Sequence, residues 1–304
     1  MSKKKSYFKK STEDIVFDTI NAILLLMLCV ITIYPFINTL AISLNDAIDA
    51  IRGGIFLWPR EFSTKNYTKI FTENKNIVSA TGISAARAIV GAASSVFACL
   101  LFAYTISRKE FVLRKFFTKF LVFTMYFSGG LIPTYLLMKN LGLINNFLVY
   151  ILPGMVGAYN VMIMRSYIDG IPESLIEAAK IDGASEYRIL FGIVMPLSVP
   201  VMATITLFVA VGQWNSWFDT MLYASSRQEL STLQFELQKV LQSSMNMTAT
   251  QIDSMSTTGE NKNMVTPNSI RAAMTIIAVT PILFTYPFLQ KYFVKGLTLG
   301  GVKG

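Results

Sequence analysis

Residues 171–196 read IPESLIEAAKIDGASEYRILFGIVMP. Pro172 suits the first turn of a helix and Glu173 suits its positive end, while Ala178 and Ala179 give a smooth helical face. Gly183 then supplies a break where a left-handed residue can cap that helix, and Ser185 can cap a second helix that runs on into the next apolar block. The stretch therefore predicts a short helix, a tight bend and another helix. A connection needs only a few polar residues, so one this long and this patterned reads as a protein docking element.

On both sides of this stretch the chain turns apolar. Six blocks are long enough to span a hydrocarbon layer as helices, at 20–44, 77–107, 116–138, 146–164, 193–213 and 270–293, since about 20 apolar residues cross about 30 Å. Several hold Gly, Pro or Ser/Thr, which membrane helices tolerate where neighbours satisfy the freed backbone groups. Mean hydropathy is +0.49, and of the 304 residues 53% are hydrophobic and only 15% charged, too apolar for one soluble core. The fold class is all-α, a polytopic membrane protein with six transmembrane helices. The first block is too long for a cleavable leader and reads as a retained span.

An even number of spans puts both termini on one side. Lys3, Lys4, Lys5, Lys9 and Lys10, then Arg108, Lys109, Arg114, Lys115 and Lys119, then Arg165, Lys180 and Arg188 crowd the connections on that side, whereas the basic residues opposite are spread over longer loops. The bias places both termini in the cytoplasm. It also accounts for the net charge of +9 without nucleic acid as a partner. The expected divisions are a cytoplasmic tail at 1–19, a first helix and external loop at 20–76, a five-helix core at 77–293 with the docking loop at 172–196, and a cytoplasmic tail at 294–304. A second external segment, 215–269, holds STLQFELQKVLQSS, whose Leu233, Leu237, Val240 and Leu241 recur at helical spacing. It is either a surface helix or a docking surface, and it is followed by a polar stretch at 245–263 that reads as flexible.

Several function classes drop out. The chain has no His, which removes His-based triads and most zinc sites. Cys29 and Cys99 lie inside apolar blocks and read as small buried hydrophobes. The spans hold almost no acidic residue of the kind an ion-driven secondary transporter needs. Nothing converges as a nucleophile with its base or as a metal cluster for an embedded enzyme. No G-x-x-x-x-G-K-[ST] stretch occurs, so any ATP hydrolysis belongs to another subunit.

Glu177, Ala178, Ala179, three residues, Gly183, nine residues, Ile193, two residues and Pro196 match the EAA signature of ABC importer permeases. Met195 stands where Leu is usual, a volume-conserving exchange. AYTISRKEF, at 103–111, is similar to the AYxLSR motif of the carbohydrate-uptake branch, and the terminal GLTLGGVKG, at 296–304, resembles the ending of maltose-type permeases. GLIPTYLLMKNLGLINNFLVYILP, at 130–153, with WNSWFD, at 214–219, looks like the subgroup that handles complex oligosaccharides. The resemblance covers essentially the whole chain. It implies a type I ABC importer permease fold and a bacterial inner-membrane location. The implied coupling loop enters a cleft on the ATPase through Glu177, Ala178, Ala179, Asp182, Gly183, Ala184 and Pro196. The implied tail reaches the ATPase through Gly296, Thr298, Gly300 and Gly301. The implied partners are a second, homologous permease in a heterodimer, two ATP-binding subunits and an extracytoplasmic solute-binding protein. No cofactor is expected in this chain, ATP and Mg belonging to the ATPase.

A sugar presents an apolar ring face and a polar rim, so aromatic faces and planar polar groups bind it. Gln213, Trp214, Asn215, Trp217 and Asp219 supply both at the outer end of the fifth span, although Trp also belongs to interfacial belts. Tyr159 and Asn160 in the fourth span, and Tyr135 in the third, are further candidates for the cavity wall. Arg87 lies within an apolar span. It either lines the path, or bonds a helix end in the companion permease, or holds the structure or snorkels outward. A permease for peptides or amino acids would share the EAA loop, and the AYTISR and GLTLGGVKG segments favour carbohydrate over it.

Overall fold

A computed structural model describes residues 11–73, 76–245 and 266–301, with the backbone alone at 288–301. The polar stretch at 246–265 and the basic residues of 1–10 fall outside the described residues. The described chain is helical, and its only strand-like feature is an isolated bridge between Asn45 and Phe62. It divides into two units, Met1–Ile70 with Met247–Ile276, and Phe71–Asn246 with Ile277–Gly304.

In the first unit, α1 (Thr12–Ser43) is apolar and exposed on every face through Ile37, as a helix solvated by lipid is. Beyond it lie α2 (Ala47–Ile51) and α3 (Lys65–Glu73). The fully buried Asn45 organises this turn. Its carbonyl oxygen accepts the backbone N–H of Arg60 at 2.7 Å and of Glu61 at 2.9 Å, and its amide donates to Asp49 at 3.0 Å. Arg60 also donates to Asp49, at 2.9 Å. The hydrogen bond from Asn45, then the one from Arg60, hold the Asp49 carboxyl below its ordinary value.

In the second unit, small residues decide how the helices meet. The buried face of α4 (Asn76–Ser107) carries Ala80, Ser84, Gly91, Ala92, Ser95, Cys99 and Ala103, and such residues let backbones approach closely. α5 (Arg114–Tyr126), α6 (Leu131–Asn140), α7 (Ala158–Ile168), α8 (Glu173–Ile181), α9 (Glu186–Ile189), α10 (Met195–Leu197) and α11 (Val199–Asn215) follow. α4 packs most extensively on α11 and next on α7. Leu100, Ile106, Val161, Met164, Ile168, Ile189, Val194 and Ile205 form the centre of that core. α12 (Phe218–Tyr223) and α13 (Leu233–Met245) come next. α13 is anchored where the Leu233 N–H donates to Ser84 Oγ of α4 at 2.9 Å.

Three of the six expected spans are each one unbroken helix of membrane-crossing length: α1, α4, and the first 19 residues, Pro267–Thr285, of α14 (Pro267–Gly301). The other three are bent pairs, and the count of six holds when each pair is one span. The third breaks between α5 and α6 with a bend of 117°, because Gly130 sits at φ 87°, ψ 177°, backbone that essentially only glycine adopts. The fourth turns 49° between Phe147–Gly154 and α7, across Met155, Val156 and Gly157. The fifth turns 76° between Glu186–Leu197 and α11, where Ser198 caps α11 and Pro200 stands in its first turn. The last helix runs on through the expected tail to Gly301, since each added residue gains a backbone bond while a glycine costs only about 1 kcal/mol.

Candidate functional site

α8 begins at Glu173, with Pro172 as its cap residue, and ends at Ile181, two residues before Gly183, whose φ is +74°. The Ala184 N–H donates to Ala179 O at 2.9 Å and the Gly183 N–H to Lys180 O at 3.0 Å, the paired bonds of a Schellman ending. Ser185 Oγ then accepts the Arg188 N–H at 3.4 Å. α9 passes through a π-turn, Leu190–Val194, to Pro196 in α10. The helix, bend and helix expected at 171–196 are therefore present.

Only Ile176 of α8 is buried, seated in the core of the second unit with Ala179 and Ala184 half-buried beside it. Glu177, Ala178, Asp182 and Gly183 are exposed. Ile181 at 86% and Tyr187 at 76% exposure also project outward, an apolar surface that composition had not distinguished from core. The signal for it is positional, because Ile181 is five residues from Ile176 and so falls off its face.

Polar bonds join this loop to the AYTISRKEF segment. Lys109 Nζ lies 2.5 Å from Glu173 Oε2, Lys180 Nζ lies 2.6 Å from Glu110 Oε1, and the Tyr104 hydroxyl donates to Glu186. The bond to Glu110 holds the Lys180 ammonium above its usual value, and the same bond holds the Glu110 carboxyl below its own.

At the other end of the α4–α11 pair, Arg87 is 1% exposed. It pairs with Asp219, its Nε donates to Gln213 Oε1 at 2.9 Å, and its guanidinium lies 4.4 Å from the Tyr150 ring centre. Gln213 donates in turn to Tyr150 O at 3.1 Å, and Asp219 also accepts from Ser216 Oγ at 2.9 Å. Gly91 is what admits Gln213, since a Cβ there would stand 3.1 Å from its amide. Arg87 thus neither snorkels nor stands free. Gln213 and Asp219, offered by the sequence to sugar hydroxyls, are engaged by it.

The remaining candidates are dispersed. Trp214 is 7% exposed and donates its indole N–H to Ala278 O at 2.9 Å. Asn215 accepts from Gln234 Nε2 at 3.1 Å, and Trp217 meets Phe218 edge-on. Tyr159 is 59% exposed and Asn160 half-buried at the start of α7, while Tyr135 stacks on Tyr223. Gly296, Thr298, Gly300 and Gly301 lie on the backbone of α14. A groove of about 740 Å³ runs between α4, α11 and α14, walled by Ala88, Ala92, Phe97, Ala210, Trp214 and Ile282 among others. Two hydroxyls on its wall are already engaged, Thr206 with Met202 O and Thr285 with Pro281 O. The groove suits hydrocarbon better than a sugar rim.

Comparison with known proteins adds four findings. The family described as "Binding-protein-dependent transport system inner membrane component" matches residues 94–299. Protein LplC of Bacillus subtilis is 37% identical over 95% of each chain. The Bacillus subtilis polygalacturonan/rhamnogalacturonan transport system permease protein YtcP is 36% identical over 95% of this chain and 99% of its own. Among solved structures, a chain of a bacterial ABC transporter involved in the import of the acidic polysaccharide alginate superposes with a TM-score of 0.81 at 29% identity, over 93% of this chain and 99% of that one.

Proposed function

We propose a function from the premise that the chain belongs to the family of binding-protein-dependent transport system inner membrane components: it is a permease subunit of an ATP-driven importer of carbohydrate, oligosaccharide above all. Members of this family are transport subunits that work with an ATPase and a solute-binding protein. The observation that carries the reading is the loop at 171–196, a capped helix with Glu177 and Ala178 turned outward and Ile176, with Ala179 half-buried beside it, set into the helix core. Closure of an ATPase dimer gripping α8 would push a rigid element, and packed helices answer such a push by moving between discrete arrangements. Glu177, Ala178, Asp182 and Gly183 face the ATPase in this reading, with Ile181 and Tyr187 added as apolar contacts. Alternating access follows, with ATP and Mg bound on the ATPase.

The finer assembly is part of the proposal: a heterodimer with a homologous permease, two ATP-binding subunits, both termini in the cytoplasm, and the end of α14 reaching the ATPase through Gly296, Thr298, Gly300 and Gly301. Carbohydrate is favoured over peptide by the names of the relatives, one a polygalacturonan/rhamnogalacturonan permease and one from an alginate importer. Proteoliposomes holding the purified complex test the reading. Neutral and uronate-containing oligosaccharides should accumulate in an ATP- and binding-protein-dependent manner. Accumulation of peptides with no oligosaccharide uptake would overturn the substrate class.

A further inference from the structure

The connection at 108–113 links α4 to α5, yet its side chains reach both ends of α8. Lys109 meets Glu173, the first residue of α8, at 2.5 Å, and the next residue, Glu110, meets Lys180 in the last turn at 2.6 Å. Those two positions stand about 10 Å apart along the helix axis. The signs are ordered as the helix dipole prefers, with the carboxylate at the N-terminus of α8 and the ammonium at its C-terminus. A third attachment joins the following helix, where the Tyr104 hydroxyl donates to Glu186 and Lys180 lies 3.6 Å from the same carboxylate. Arg108 covers the Tyr104 ring at 4.9 Å.

These bonds supply what the apolar seat lacks. One buried side chain, Ile176, between two alanines resists withdrawal of α8 but resists tilting and sliding poorly. Two oppositely signed contacts at the two ends of the helix fix its attitude. Exposed ion pairs are weak singly, and this set acts through its placement.

We propose that Tyr104, Lys109, Glu110 and Glu186 are positioning residues of coupling, a strap from the end of α4 that holds α8 at a fixed attitude so that its displacement is passed to α4. The proposal rests on the reading that α8 docks on the ATPase. The experiment uses the full complex in proteoliposomes, in a Cys29→Ser background, and reads substrate carried per ATP hydrolysed. Glu110→Cys with Lys180→Cys should lower that ratio about threefold or more, and joining the two cysteines with a short bis-maleimide should restore it to within about twofold of wild type, as expected of coupled neighbours. An unchanged ratio in the reduced pair, or no recovery on bridging, overturns the strap. Glu110→Asp should retain more of the ratio than Glu110→Gln, and equal ratios would count against the strap even if the double-cysteine chain failed to assemble. A separate arm places Cys at Ile181 and asks for a cross-link to the ATPase. Its absence overturns the docking reading itself, whereas its presence beside undiminished ratios overturns the strap alone.

Discussion

A guanidinium that is 1% exposed inside an apolar helix needs its counter-charge in direct contact, because desolvation of an unpaired ion costs several kcal/mol. Arg87 meets this with Asp219, Gln213 and the Tyr150 ring. Arg87→Met leaves Asp219 without its partner, and the expected loss is about 3 kcal/mol, the lower end of the range for broken buried pairs, since the Asp219 side chain keeps 24% exposure. Thermal melting of the purified complex reads this. Arg87→Met/Asp219→Asn should recover part of the loss, and a single variant melting like wild type would refute the clamp. Gly183 gives a second residue-scale test. Open space surrounds its Cβ position, so the cost of substitution is conformational. Uptake should fall in the order Gly, Asn, Ala, Val, following the rising cost of φ +74°, and a Val variant as active as the Asn variant would exclude this account.

At the scale of elements, the bends are built by particular residues. Gly129 and Gly130 adjoin in the sequence, but only Gly130 has a left-handed φ, 87°. Gly130→Ala should therefore lower the melting temperature of the complex more than Gly129→Ala, and equal shifts would show that the 117° bend does not depend on that backbone conformation. The turn after α1 makes a prediction in pH. The Asp49 carboxyl is held below its ordinary 3.8 by Asn45 and Arg60, so its contribution is present above about pH 4 and is lost as pH falls through the lower folded value. Melting of wild type and Asp49→Asn should differ at neutral pH and converge in acid. A gap that stays constant with pH would remove Asp49 as its source.

For the whole molecule the open question is sidedness. If both termini are cytoplasmic, Ile181→Cys should react with an impermeant maleimide only from the cytoplasmic side. Trp58→Cys, in the loop between α2 and α3 and 83% exposed in the native residue, should react only from outside. The reverse pattern would invert the proposed topology and detach α8 from the ATPase. Salt should matter little to assembly of the helix core, whose contacts are apolar and short-range.

The helix, bend and helix at 171–196 were legible in the sequence because a left-handed glycine ending and a serine cap are decided within a few residues of one another. Six apolar blocks were legible for the same reason, as was the presence of Gly and Pro inside three of them. The size of each bend was not, since a glycine permits a turn without setting its angle, which depends on what packs on either side. Nor could Asp219 be assigned to Arg87 across 132 residues, or Lys109 and Glu110 to the two ends of α8. Sequence fixed what was local in backbone preference and polarity, and tertiary packing chose the partners, because a buried charge or an exposed isoleucine is defined only by what the fold brings beside it.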